Sequence, residues 1–124
     1  MMSKSPEKPK ISEAEILRSI LDYLAARRIF AVRMNSGTQI GSHKGKKWAI
    51  HMNAAGTADI LALPRRACAF NPQVCNRLAA LWIEVKTATG KQSELQKSFQ
   101  AQVEAEGHRY ILARSIEDVE AALR

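Results

Sequence analysis

Three ionisable residues stand where apolar ones would ordinarily be. Glu84 and Lys86 interrupt Leu81-Trp82-Ile83-Glu84-Val85-Lys86, and Asp59 sits near the start of the mostly apolar run Thr57-Ala58-Asp59-Ile60-Leu61-Ala62-Leu63-Pro64. Both runs read as buried strands, the first of them in chain order stopped by proline. Residues two apart on a strand project from the same face, so Glu84 and Lys86 share one, and Asp59 on a neighbouring strand can join them. Buried charges are normally paired or bound to metal, and two carboxylates held close raise each other's pKa unless a cation intervenes. A purely structural Glu-Lys pair is the competing reading, but inside an apolar run it would cost desolvation for little return. Hard divalent cations such as Mg²⁺ accept one or two carboxylates and keep waters, leaving a position for a phosphate oxygen. Such a metal acidifies a water and polarises phosphorus, while an adjacent lysine steers that water and offsets transition-state charge. Asp59, Glu84 and Lys86 are therefore a minimal set for phosphodiester hydrolysis.

The elements that must position them follow from pattern. Ser12-Glu13-Ala14-Glu15 matches a capping box, with Ser12 as N-cap and Glu15 reaching back, and it opens a helix carrying Ile16, Leu17, Ile20, Leu21 and Leu24 to about Arg28. At about 100° per residue, Ile16, Leu17, Ile20 and Leu24 fall within about 60° of Glu13 and Glu15 lies roughly 200° away, so Glu13 is expected along the packed face. Phe30, Val32 and Met34 alternate with Ala31, Arg33 and Asn35, a strand with Arg33 and Asn35 opposite the packed side. Asn35-Ser36-Gly37 marks a turn; Thr38 to Lys47 reads as a basic loop or hairpin tip, and Trp48 to Met52 as the returning strand. Arg65 to Arg77 is an irregular excursion, and Thr87 to Gln92 a loop. Ser93-Glu94-Leu95-Gln96 is a second capping box, opening a helix that Gly107 closes. Gln96 has two readings: N3 partner of Ser93, or an inward-pointing group on the face of Phe99 and Val103. Arg109 to Ala113 is a third buried strand, and Ser115 to Asp118 caps a last helix ending near Leu123. The expected fold class is α/β or α+β, a small mixed sheet flanked by helices in one domain over residues 12–124, after a flexible basic tail at 1–11.

Charge bears on the partner. The 124 residues hold 19 Lys or Arg against 12 Asp or Glu, a net +7. From Tyr23 to Ser93 eleven basic residues face only Asp59 and Glu84, a net +9. A solvated surface usually mixes both signs, so this window fits a phosphate-binding face, with Lys44, Lys46 and Lys47 spaced by glycines suited to following a phosphate backbone. The longest apolar stretch, Leu78 to Ile83, has six residues, far short of the about 20 of a membrane span. The polar start lacks the apolar core of a signal peptide, so a cytoplasmic protein is expected. Cys68 and Cys75 lack a second pair to complete a metal tetrad, and His43, His51 and His108 lack metal-ligand spacing, so these are read as ordinary thiols and packing or surface histidines.

An acidic residue on one strand followed by Glu-x-Lys on the next resembles the PD-(D/E)XK nuclease superfamily. Ser12-Glu13, Arg33-Met34-Asn35, Gly56-Thr57-Ala58-Asp59, Ile83-Glu84-Val85-Lys86-Thr87 and Ser93-Glu94-Leu95-Gln96, in that order, resemble its VRR-NUC branch over Ser12 to Leu123. Ala58 stands where the superfamily places Pro, and Arg65 to Arg77 looks like an insertion. The resemblance implies a restriction-endonuclease-like fold and a Mg²⁺-dependent endonuclease, with Mn²⁺ as substitute. Asp59, Glu84 and the Val85 carbonyl would hold the metal, and Lys86 would position the attacking water. Glu13 would orient the metal's water shell or a second ion, and Gln96 would fix Lys86 or the scissile phosphate. Arg33 and Asn35, with the three loop lysines, would contact the nucleic acid. By the same resemblance the substrate is branched DNA of Holliday-junction type, the protein a homodimer and its origin phage or prophage. A nuclease on other DNA or RNA remains open. So does a non-catalytic nucleic-acid-binding module, although that would not need carboxylates that repel phosphate; a structural protein would show no nucleic-acid affinity.

Overall fold

Helix α1 (Glu13–Ala26) forms where apolar residues recur at three- and four-residue spacing, and Ile16, Leu17, Ile20 and Leu24 are buried along it. Ser12 Oγ accepts from Glu15 N at 3.2 Å, but the expected return bond from the Glu15 side chain is not made, so this cap is half a box. The helix ends without glycine: Arg28 takes φ 57, with Arg28 N donating to Ala25 O and Ile29 N to Leu24 O at 3.0 and 2.9 Å. That is the Schellman closure, made by a residue that carries a Cβ penalty. The computed structural model describes residues 10–34, 38–43, 46–51, 55–64 and 80–124. Asn35, Lys44, most of the basic tail and the Arg65 to Arg77 excursion lie outside the described residues.

Four strands, β1 (Phe30–Arg33), β4 (Ile60–Leu63), β5 (Leu81–Val85) and β6 (Arg109–Ala113), form a mixed sheet in the order β1-β4-β5-β6. The first two pairings are antiparallel, and β5 with β6 is parallel. β2 (Thr38–His43) and β3 (Lys46–His51) make a separate antiparallel hairpin, so the segment read as a basic loop is strand on both sides of its tip. β1 is not the hairpin partner of β2; it pairs with β4, with Phe30 opposite Leu63 and Arg33 opposite Ile60.

Helices α2 (Glu94–Ala105) and α3 (Ile116–Ala122) complete three layers. Leu81, Ile83 and Val85 of β5 pack with Ile60, Ala62, Ala113, α1 and Val119 of α3 on one face. Trp82 turns to the other face, where Ala58, Val103, Tyr110 and Phe99 form a second cluster under α2. Trp82 meets Phe99 edge to face at 5.0 Å and 82°, so it is core and no base-stacking platform. The alternation on β1 differs from the expectation: Phe30 and Val32 are exposed, and Ala31 packs on the core. β1 is an edge strand whose register puts Ala31 and Arg33 on the α1 face, opposite Ala62 and Ile60. Gly107 closes α2 at φ 81, as expected, whereas the Ser115 side chain does not cap α3; Asp118 Oδ2 instead accepts from Arg114 N at 2.8 Å. No helix among the described residues is long and apolar enough to cross a membrane.

Candidate metal and catalytic site

The β4–β5 register pairs Ile60 with Ile83, and one step further it sets Asp59 opposite Glu84. Both side chains therefore lie on the α2 face, at the carboxyl end of β5. β4 begins only at Ile60, which leaves the Val85 N–H beyond the backbone ladder; Asp59 Oδ2 accepts from it at 2.7 Å. Extended backbone turns a residue's N–H and C=O to the same edge, so the Val85 carbonyl faces the Asp59 side as well. Asp59 O in turn accepts from Met34 N at 2.7 Å, tying the edge strand to this end of the sheet.

Glu84 is 2% exposed. Its Oε1 accepts from Gln96 Nε2 at 2.9 Å and lies 3.5 Å from Lys86 Nζ. Its Oε2 is buried without a hydrogen-bond partner among the described residues. Burial, then the like charge of Asp59, pushes the Glu84 carboxyl up from 4.5 to about 7, with Lys86 pulling the other way. An ionised oxygen left bare in a desolvated pocket is costly, and a proton or a cation relieves it. The site is thus a pair of carboxylates short of positive charge, with one lysine on one side. Hard oxygen donors of this kind fit Mg²⁺ or Mn²⁺.

Gln96 resolves its two readings by doing both. Its Oε1 accepts from Ser93 N at 2.8 Å and its N–H donates to Ser93 Oγ at 3.2 Å, a complete capping box, while its Nε2 reaches Glu84. It holds Glu84 and not Lys86, because the first turn of α2 stands directly over the strand position of Glu84. Gly56 allows that approach. It has φ +87, and a Cβ there would come within 2.4 Å of Leu95 O. The Gly-x-x-Asp spacing therefore has a packing reason as well as a chemical one.

The structure does not bring Glu13 to this cluster. Glu13 is exposed at the head of α1, and no group of three His, Cys, Asp or Glu side chains among the described residues is placed to hold a metal. The angular phase was right for Ile16, Leu17, Ile20 and Leu24, which are buried, but not for Glu13, which is exposed. Arg33 is exposed, on the sheet face away from Glu84. Lys46 and Lys47 lie at the start of β3.

Two groups near the pair were not singled out by sequence. Tyr110, in register with Trp82 on β6, accepts from Gln92 Nε2 at 3.0 Å, and burial pushes its phenol up to about 12, helped by Glu84 and Asp59. A phenol so held stays neutral in the ordinary pH range. Arg114 follows β6 and donates from Nη1 to Thr87 O and to Gly90 O, the latter at 2.8 Å, in the loop after Lys86. Position on a buried strand hid the first, and nothing in its sequence surroundings marked the second. His108, read as a packing or surface residue, accepts through Nδ1 from Ala80 N at 3.1 Å. No family model, characterised protein or solved structure matches the chain.

Proposed function

We propose that this chain is a metal-dependent nuclease of the PD-(D/E)XK kind, similar to VRR-NUC proteins and with a restriction-endonuclease-like arrangement of its sheet. The observation that carries the reading is Glu84, buried on the same sheet face as Asp59, with its Oε2 lacking a hydrogen-bond partner among the described residues and Lys86 beside its Oε1. A binding module gains nothing from such a carboxylate, whereas a phosphodiesterase needs it to recruit a cation.

Asp59, Glu84 and the Val85 carbonyl would hold Mg²⁺, which supplies an acidified water and offsets charge at phosphorus. Lys86 keeps an ammonium beside the carboxylates, where it donates to the attacking water or to a phosphoryl oxygen and opposes the charge that develops there. Gln96 donates to Glu84 Oε1, which favours the ionised carboxylate and leaves Oε2 as the free donor. Asp59 is held by the Val85 N–H, so the carboxylates keep their spacing without help from substrate. Arg33, Asn35, Lys44, Lys46 and Lys47 would contact the nucleic acid; the substrate read from the resemblance is branched DNA cut by a homodimer.

The test is cleavage of single-stranded, duplex, flap and four-way DNA with Mg²⁺, with Mn²⁺ and with chelator. Cleavage of at least one substrate that needs metal and disappears in Glu84→Ala and Lys86→Ala, with DNA binding retained, is expected. Chelator-resistant cleavage, or metal-independent DNA binding with no cleavage of any substrate, overturns the reading.

A further inference from the structure

We infer that Arg114 is a positioning residue for Lys86, acting through the loop of residues 87–90. Lys86 leaves β5 with its N–H bonded to Ala113 O at 3.0 Å, so the strand ends of β5 and β6 are already tied there. The next residue on β6's side, Arg114, forks Nη1 between Thr87 O and Gly90 O. Gly90 N donates to Thr87 O at 3.2 Å, which closes the loop into a turn. This turn lies against the lysine: a Cβ on Gly90 would sit 3.4 Å from both Cβ and Cδ of Lys86. The Lys86 stem is therefore clasped between the sheet and a turn whose carbonyls converge on one guanidinium.

The turn borders open space. A cleft of about 510 Å³ opens on it, lined among the described residues by Thr87, Ala88, Thr89 and Arg114 with Lys10, Ile11 and Ile16. Arg114 is itself anchored by its backbone N–H to Asp118 Oδ2 on α3, at 2.8 Å. A long, flexible lysine loses much rotamer freedom when held at a fixed place, and the held geometry must be supplied by neighbours. Arg114 supplies it by closing the turn over the stem, which keeps Lys86 only 14% exposed and 3.5 Å from Glu84.

The kinetic part of this inference rests on the nuclease reading; the structural part does not, and the experiment separates them. In the full chain without metal, the rate at which an N-hydroxysuccinimide ester acylates Lys86 is followed by mass spectrometry against Lys97, in wild type, Arg114→Met and Arg114→Lys. In parallel, the single-turnover cleavage rate at saturating DNA and the Kd for DNA are measured with Mg²⁺. Lys86 is expected to react several-fold faster in both variants while Lys97 is unchanged, because methionine has no donor and the lysine ammonium sits one bond nearer the backbone than Arg114 Nη1, short of the two carbonyls. Cleavage should slow by about tenfold or more in both variants, since small misplacements of a reacting group are costly, with Kd unchanged in Arg114→Lys. Unchanged acylation of Lys86 in both variants overturns the inference. So does an unchanged cleavage rate, or a defect in Arg114→Met that appears only in Kd and that Arg114→Lys restores, which would make Arg114 a phosphate contact. Faster acylation in a protein whose wild type cuts no DNA upholds the clasp and removes the nuclease reading alone.

Discussion

Gln96 reaches Glu84 Oε1 with its amide nitrogen at 2.9 Å while its amide oxygen accepts from Ser93 N at 2.8 Å. One side chain thus finishes the N-terminus of α2 and orients the carboxylate on β5, which couples the stability of the helix to the geometry of the site. The two duties separate by substitution. Ser93→Ala removes cap bonding alone, and should cost about 1 kcal/mol in urea unfolding while leaving cleavage within about threefold of wild type. Gln96→Ala removes both contacts; it should cost about 1 to 2 kcal/mol and slow cleavage by about tenfold or more, the usual cost of losing a partner behind a metal ligand. Equal cleavage by the two variants would show that the Glu84 contact is idle.

A pH dependence follows from Glu84. Its carboxyl is raised from 4.5 to about 7, so the fold prefers it protonated. The stability this gives is complete below about pH 4.5 and is lost as pH rises through about 7, an effect on the order of 3 kcal/mol. In chelator, unfolding free energy should therefore fall from pH 5 to pH 8 more steeply in wild type than in Glu84→Gln. Mg²⁺ competes with the same proton, so calorimetry should show tighter binding at pH 8 than at pH 6, with proton release at the lower pH. Parallel pH profiles for wild type and Glu84→Gln would remove the assignment of this titration to Glu84.

Gly56 is the tightest steric constraint near the site. Its φ of +87 disfavours any side chain, and a Cβ would fall 2.4 Å from Leu95 O, which is backbone and cannot swing aside. Gly56→Ala should destabilise by about 2 kcal/mol or more and, by pushing the first turn of α2 away, should also slow cleavage. Gly107→Ala is the control. Gly107 also has positive φ, at +81, but a Cβ there meets nothing within 4 Å, so its cost should stay near about 1 kcal/mol with cleavage unchanged.

Glu13 and Glu15 are both exposed on α1, and neither joins Asp59 and Glu84 in a three-member group among the described residues. Glu13→Gln and Glu15→Gln should each leave single-turnover cleavage within about threefold of wild type, in contrast to Glu84→Ala. A loss of about a hundredfold or more in Glu13→Gln alone would restore the role that the resemblance implies for it.

Local chemistry made much of this protein readable in its sequence. The apolar runs around Ile60 and Ile83 dictate buried strands, the Ser93 to Gln96 spacing dictates a capped helix, and i, i+2 spacing puts Glu84 and Lys86 on one face; the structure has all three. Each depends on neighbours within a few residues, where periodicity and capping act. Pairing partners are another matter. That β1 joins β4 and not β2 turned Ala31 inward and left Phe30 and Val32 exposed, because an edge strand's buried face is chosen by the sheet it joins. The exposure of Glu13 at the first turn of α1 is likewise set by how the helix packs, which its helical phase does not contain. The meeting of Asp59 with the Val85 N–H, of Gln96 with Glu84 and of Arg114 with the turn after Lys86 spans 26, 12 and 24 or more residues of chain. Residue type and spacing chose the groups able to do chemistry; only packing across the sheet decided which of them touch and which oxygen of Glu84 is left without a partner among the described residues.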